Sequence, residues 1–256
     1  MSYAHLLEIQ RLKQQFGGLM ALREINIHVN KGEIVGIIGP NGSGKTTLFN
    51  CITGIYKPIE GAIIFKGIQI QGLKPYVIAK YGVSRTFQNI RLFKALTVEE
   101  NILSGMHIRT STNLIDAIFH TPKKRKEDKE IYEKLETILS ILNIDQFRYA
   151  LAGSLPYGEQ RKLEIARALA TEPELLLLDE PAAGMNENET MDLCKIIEKL
   201  KELGQTILLI EHDMHFVMRV CERLYVLNYG EQIASGVPDE IKQNPRVIEA
   251  YLGKEE

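Results

Sequence analysis

Ile34-Val35-Gly36-Ile37-Ile38-Gly39-Pro40-Asn41-Gly42-Ser43-Gly44-Lys45-Thr46-Thr47-Leu48-Phe49-Asn50-Cys51-Ile52 decides the fold. The run Ile34 to Ile38 has no polar side chain, so it reads as a strand buried on both faces. Gly39 to Thr46 then matches G-x-x-x-x-G-K-[ST] in every fixed position. After Lys45, residues Leu48, Phe49 and Ile52 can form the apolar face of a helix. Strand, glycine-rich loop and helix in that order are the context of a phosphate-binding loop. Gly39, Gly42 and Gly44 allow a tight turn whose N–H groups point inward, and the positive end of the following helix adds to that field. Pro40, Asn41, Ser43 and Thr47 complete the cradle. Lys45 is a point charge suited to β- and γ-phosphates, and the Thr46 hydroxyl is suited to Mg²⁺.

Working outward, the bulk properties narrow the class. The chain has 256 residues, 45% apolar and 25% charged, enough for one large or two small domains with a real core. A net charge of −2 argues against a nucleic-acid partner, which needs a basic surplus or a basic face. No apolar run approaches the ~18–20 residues that span a bilayer. The start, Met1-Ser2-Tyr3-Ala4-His5, lacks the basic-then-apolar pattern of a signal peptide. Cys51, Cys194 and Cys221 have no metal-ligand spacing and read as reduced core thiols.

Taken in order, Leu6 to Gln14 and Leu22 to Val29 read as strands, the second alternating through Ile25, Ile27 and Val29. Phe16 lies in the loop between them. On residue chemistry alone it is a core aromatic anchoring a hairpin, with stacking on a nucleobase as the alternative. Gly61 to Ile70 predicts another hairpin about Gly67, so antiparallel strands flank a parallel core. From about Val98 to Arg148 the pattern is helical, with Ile131, Leu135, Ile138, Leu139 and Leu142 on one stripe. The charge run Lys123 to Glu130 reads as a solvated face.

Leu175-Leu176-Leu177-Leu178 predicts a second buried parallel strand, ending at Asp179 and Glu180. Asp179 is suited to the Mg²⁺ shell and Glu180 to orienting a water. A buried carboxylate pair without a cationic partner is costly, so a metal is expected there. Thr206 to Ile210 is a further strand, followed by His212, which can donate to phosphate oxygens. His215 makes H-x-x-H, but with no further ligands it does not read as a metal site. Leu224 to Ala234 reads as a hairpin about Tyr229-Gly230, and Pro245 to Leu252 as a short closing helix.

Leu155-Pro156-Tyr157-Gly158-Glu159-Gln160-Arg161 stands about twenty residues before Asp179 and opens a helix expected over Gln160 to Ala170. With the two strong motifs it resembles the signature sequence of ABC transporter ATP-binding subunits. Arg85-Thr86-Phe87-Gln88, the helical insertion and the tail Asn244 to Gly253 resemble the branched-chain amino-acid importer branch.

The resemblance covers essentially the whole chain and implies an α/β fold. It is a RecA-like P-loop NTPase core with an antiparallel β subdomain and an inserted α-helical subdomain. Residues 1–256 then form one nucleotide-binding domain, with core and β subdomain over 1–97 and 150–256. The insertion covers 98–150, and the signature helix 155–170 adjoins it. The resemblance also implies residue roles: Phe16 on adenine, which reverses the reading above, and Gln88 touching Mg²⁺ and water. Glu180 is the implied catalytic carboxylate and His212 the switch histidine. Leu155, Pro156, Tyr157, Gly158 and Glu159 reach the γ-phosphate of a second subunit, and Ala183 to Asn186 form the D-loop. The cofactors implied are ATP and Mg²⁺. The implied partners are membrane permease subunits and a second ATP-binding subunit in a head-to-tail dimer, with an extracytoplasmic solute-binding protein engaged indirectly. The implied location is peripheral, on the cytoplasmic face of the membrane.

Three positions depart from the general family pattern. Pro156 replaces the usual serine, Tyr157 the usual glycine and Asn186 the usual aspartate, the last two as in the amino-acid importer branch. Pro156 is expected at the first helical position, where proline is well tolerated. Other ABC ATPases, of a lipid exporter or of a soluble non-transport type, are the alternatives. The soluble type usually carries a coiled coil or doubles its motifs, and here each motif occurs once with no heptad run.

Overall fold

The computed structural model describes residues 4–106 and 122–252, with side chains of 122–127 and 252 left aside. Part of the start Met1 to Ala4, most of the charge run Lys123 to Glu130 and the last tail residue, Gly253, therefore lie outside the described side chains.

Two compact units are present. The first comprises Met1–Gln88, Glu174–Ala183 and Thr190–Glu256. It holds two sheets. The smaller is antiparallel, in the order β2-β1-β4-β5, from β1 (Leu7–Phe16), β2 (Leu19–Val29), β4 (Glu60–Phe65) and β5 (Ile68–Gln69). The larger has the order β10-β9-β3-β8-β7-β6. Its strands are β3 (Ile34–Ile38), β6 (Val83–Arg85), β7 (Leu175–Asp179), β8 (Thr206–Ile210), β9 (Arg223–Asn228) and β10 (Glu231–Gly236). Neighbours are parallel except β9 and β10, which form the expected hairpin.

The three central strands β3, β7 and β8 are buried along their full length, which is why Ile, Leu and Val dominate them, with Gly36, Asp179 and Thr206 as the exceptions. Side chains of both sheets meet in one core with α1 (Lys45–Ile52) and α2 (Pro75–Tyr81). Cys51 belongs to that core, Cys194 and Cys221 are buried elsewhere, and all three are free thiols; burial pushes Cys51 up to about 12 and Cys194 to about 11. Strands β1 and β2 run longer than expected, to Phe16 and from Leu19, so Gly17-Gly18 alone makes the turn.

The second unit comprises Asn89–Pro173 and Gly184–Glu189. Its helices are α3 (Val98–Met106), α4 (Pro122–Leu142) and α5 (Tyr157–Leu169). The predicted stripe is its core face: Leu135, Ile138, Leu139 and Leu142 are buried, and Ile131 is half-buried. The helical unit extends past the expected 98–150 on both sides. Asn101 on α3 explains the near side, because its buried amide donates to the carbonyls of Phe93, Leu96 and Thr97 and accepts from Phe93 N–H, holding 93–97 to the helices. On the far side α5 packs on α3: a Cβ on Gly105 would meet the Arg167 carbonyl at 2.5 Å, so the two backbones touch.

The remaining helices are α6 (Glu187–Glu202), α7 (Met214–Val220), α8 (Pro238–Gln243) and α9 (Pro245–Leu252). Among the described residues no helix is long and apolar enough to cross a membrane.

Candidate nucleotide site

The loop between β3 and α1 depends on glycine at two places. Gly39 has φ +147°, and a Cβ there would stand 2.0 Å from the Leu227 carbonyl oxygen. Gly44 has φ +105°, and its Cβ would meet the Ala21 carbonyl at 2.7 Å. Any side chain would push the loop off its neighbours. The β9–β10 turn braces it from one side, with Gly230 N–H donating to the Ser43 carbonyl at 3.1 Å.

Lys45 is 6% exposed and donates to the carbonyls of Gly39 (2.6 Å) and Pro40 (2.8 Å). Burial lowers its pKa, and the charges of Glu180 and Asp179 pull it back toward the cation. The ammonium is thus held over the loop by carbonyls that a stronger acceptor, such as a phosphate, can replace.

A cleft of about 540 Å³ opens beside this loop. Asn41, Gly42, Gly44, Lys45, Thr46 and Thr47 line it, together with Phe16, Gln88 and Glu180. Phe16 is 41% exposed and meets Tyr56 in a T-shaped contact at 5.0 Å, so the core-anchor reading is corrected: the ring stands at the cleft wall. Met20, Arg23 and Tyr229 also line the cleft and carried no sequence signal. Tyr229 is recognisable only afterwards, as an 82% exposed aromatic in a turn.

Asp179 and Glu180 end β7 differently. Asp179 is 3% exposed. Its Oδ2 accepts from Arg85 Nη2 at 2.6 Å. The expectation of a carboxylate pair without a cationic partner is therefore corrected, because β6 pairs with β7 so that Arg85 stands opposite Leu177 and its guanidinium reaches Asp179. Glu180 has φ +48°, its N–H donates to the Ile210 carbonyl, and its Oε2 accepts from Gln88 Nε2 at 2.8 Å. Two residues far apart in sequence, the glutamine and the glutamate, thus meet at one wall of the cleft.

His212 follows β8 with its side chain 58% exposed. It does not line the cleft in this conformation. Its N–H donates to Glu211 Oε2 at 2.9 Å. Glu211 is fully buried and also accepts from Ala182 N–H at 2.8 Å and Asp213 N–H at 3.3 Å. Burial pushes the Glu211 carboxyl up while these N–H groups pull it back. It ties the segment after Glu180 to the segment carrying His212, a role no motif announced.

In the second unit, Leu155 is buried while Pro156 and Tyr157 are exposed. Pro156 is the N-cap of α5 (φ −54°, ψ 153°), one place before the expected first helical position. Gly158 is required by contact, since a Cβ would come 2.6 Å from Glu189 Oε1. Glu159 pairs with Lys162 at 2.9 Å. Asn186 Oδ1 accepts from Glu189 N–H, and Glu189 Oε2 accepts from Asn186 N–H, a reciprocal cap that opens α6.

Thr46, Gln88 and Glu180 line the cleft and offer hard oxygens, while Asp179, at the end of β7, is buried against Arg85 and does not line it. That set suits Mg²⁺ rather than a soft metal.

A family model described as ABC transporter matches residues 22–183, and one described as branched-chain amino acid ATP-binding cassette transporter matches residues 231–256. The chain is similar to the high-affinity branched-chain amino acid transport ATP-binding protein BraF of Pseudomonas aeruginosa, with 48% identity covering 97% of this chain and 98% of that one. Similarity to LivG of Escherichia coli K12, of the same description, is 46% over the same shares. Among solved structures, the ADP conformation of an ATP-binding cassette of an ABC transporter superposes with a TM-score of 0.85 at 36% identity, covering 98% of this chain and 100% of that one.

Proposed function

The chain belongs to the ABC transporter family of ATP-binding proteins and is an ATPase, and from that premise we propose that it powers an importer of branched-chain amino acids. The reading rests on near end-to-end similarity to BraF and LivG, whose names carry that solute, and on the separate match of the tail from residue 231.

ATP enters the cleft with its base against Phe16 and its phosphates on the N–H groups of residues 39–47. Lys45 gives up its loop carbonyls to meet the β- and γ-phosphates. Glu180 orients the attacking water and accepts its proton, with Gln88 holding the carboxylate between turnovers. Thr46, Gln88 and Asp179 would hold Mg²⁺, which would neutralise charge developing on the phosphoryl oxygens. His212 donates to the γ-phosphate from the switch position.

A second ATP-binding subunit docks head to tail, so that Leu155 to Glu159 and the N-terminus of α5 face the γ-phosphate bound by its partner, with Asn186 alongside. The positive end of α5 attracts that charge. ATP binding closes the pair through these contacts, and loss of the γ-phosphate opens it. The chain acts peripherally on the cytoplasmic face of a membrane, and the surface from Gln88 through Ile90, Leu92 and Phe93 passes the motion to permease subunits. Phe93 is 54% exposed with the Arg167 guanidinium over its ring, whereas Ile90 and Leu92 are half-buried.

Reconstitution tests the proposal. The chain, its co-purifying membrane subunits and a solute-binding protein, placed in vesicles, should show ATPase stimulated by leucine, isoleucine or valine. Gln88→Ala should reduce that stimulated rate more than the basal rate of the isolated chain. Stimulation by an unrelated solute alone would refute the assignment.

A further inference from the structure

Arg85 is a buried cation with no part in the steps above. Its side chain is 6% exposed beside an Asp179 side chain that is 4% exposed, so neither charge has water to rely on. Nη2 donates to Asp179 at 2.6 Å, and Nη1 donates to Asn50 Oδ1 at 2.7 Å and Thr53 Oγ1 at 3.4 Å. Both acceptors are at the C-terminal end of α1, the helix that begins at Lys45. Phe49 and Phe87 flank the guanidinium at 5.4 and 5.3 Å and fix its plane. Nε is buried without a hydrogen-bond partner. An aliphatic side chain would fill this place without that orphan, and buried ion pairs are commonly replaced by apolar groups at no loss of stability. The charge itself is therefore the feature in need of a purpose. Lys45, the other cation near Asp179, is occupied by the Gly39 and Pro40 carbonyls.

We propose that Arg85 is a positioning residue: it is the resident counter-charge of Asp179, holding that carboxylate in place when no metal is bound and sharing it with Mg²⁺ when nucleotide is. This rests on the reading of Asp179 as part of the Mg²⁺ shell. The same guanidinium joins the end of β7, the far end of α1 and the strand that leads to Gln88, so the carboxylate is aimed relative to both the phosphate loop and Glu180. Losing Arg85 leaves a buried carboxylate uncompensated, and a bound divalent cation should repair much of that defect.

The test compares melting of the full-length parent, Arg85→Gln, Arg85→Lys, Asp179→Asn and the Arg85→Gln/Asp179→Asn double variant. Each is melted with ADP in excess EDTA and with ADP in excess Mg²⁺. Arg85→Gln should melt roughly 6–12 °C below the parent in EDTA and less than half that far below it with Mg²⁺. Arg85→Lys should recover most of the EDTA loss. The double variant, a neutral pair, should melt above Arg85→Gln in EDTA. Asp179→Asn should cut the gain on adding Mg²⁺ to below the parental gain. Equal losses for Arg85→Gln in both media overturn the proposal and leave Asp179 with its metal role. A full parental Mg²⁺ gain in Asp179→Asn overturns the metal reading and the proposal with it. If Arg85→Gln does not fold, the double variant decides: folding supports the counter-charge role, and failure assigns Arg85 to packing.

Discussion

Glu180 stands at φ +48°, in the left-handed region where an L-residue with a Cβ pays roughly 1–2 kcal/mol. The position is held by its N–H bond to Ile210 and by the Gln88 amide on its carboxylate. The strain aims the carboxylate into the cleft instead of along the strand. Glu180→Gly and Glu180→Ala both remove the carboxylate and differ only in Cβ, so the glycine variant should melt higher by roughly 2–4 °C while both lose turnover. Differential scanning calorimetry on the two proteins checks this, and equal midpoints would mean the backbone relaxes without the side chain. Lys45 makes a different prediction, because its buried cation is the one that trades carbonyls for phosphates. ATP with Mg²⁺ should raise the melting temperature of the parent and leave that of Lys45→Ala unchanged.

At the scale of elements, the start of α5 is the most consequential departure. As N-cap, Pro156 offers no side-chain acceptor to the N–H groups of Gly158 and Glu159. A serine there accepts from one of them and keeps its own O–H for a γ-phosphate across the dimer. Pro156→Ser should therefore raise stability by about 0.5–2 kcal/mol. In the Glu180→Gln background it should also strengthen ATP-dependent association roughly ten- to a hundredfold, one hydrogen bond to a charged oxygen. Sedimentation at several protein concentrations measures the second effect, and unchanged association would remove Pro156 from the trans contact.

The join between β9 and the turn before β3 sets a pH dependence. Arg223 clamps Glu33 through Nε and Nη2, both at 2.8 Å, and Asn30 N–H donates to the same carboxylate at 2.9 Å. Burial pushes Glu33 up, but these donors outweigh it, and its pKa ends below the ordinary 4.5. The folded value is depressed, so the stabilisation is fully present above the unfolded value and is lost as pH falls through the folded one. Glu33→Gln should be less stable than the parent near neutrality, and the gap should close below about pH 4. Urea midpoints across that range report it.

For the molecule as a whole, what was legible followed from continuous or periodic apolar pattern. Ile34–Ile38, Leu175–Leu178 and Thr206–Ile210 declared the central strands because a doubly covered strand is dominated by apolar side chains, with polar ones such as Thr206 only at its ends. The stripe on α4 declared its buried face, and the glycines of the phosphate loop declared its turns. What escaped depends on pairing between distant segments. Arg85 gives no local sign that β6 will set it against Asp179, and Glu211 none that it will accept from Ala182. Phe16 was ambiguous because an aromatic beside glycines suits a hairpin core as well as an open wall. Pro156 fell one place from expectation because proline is acceptable both before and at the first helical turn.

The proposed function turns on whether this cleft hydrolyses ATP through Glu180. The most direct measurement is phosphate release, with nucleotide protection in melting, for Glu180→Gln beside the parent. The amide keeps the shape and the contact with Gln88 but cannot accept a proton. Glu180→Gln should keep full protection by ATP, lose turnover by roughly 10²- to 10⁴-fold, and accumulate dimers with ATP and not with ADP. Hydrolysis by Glu180→Gln at the parental rate would contradict that role of the Glu180 carboxylate.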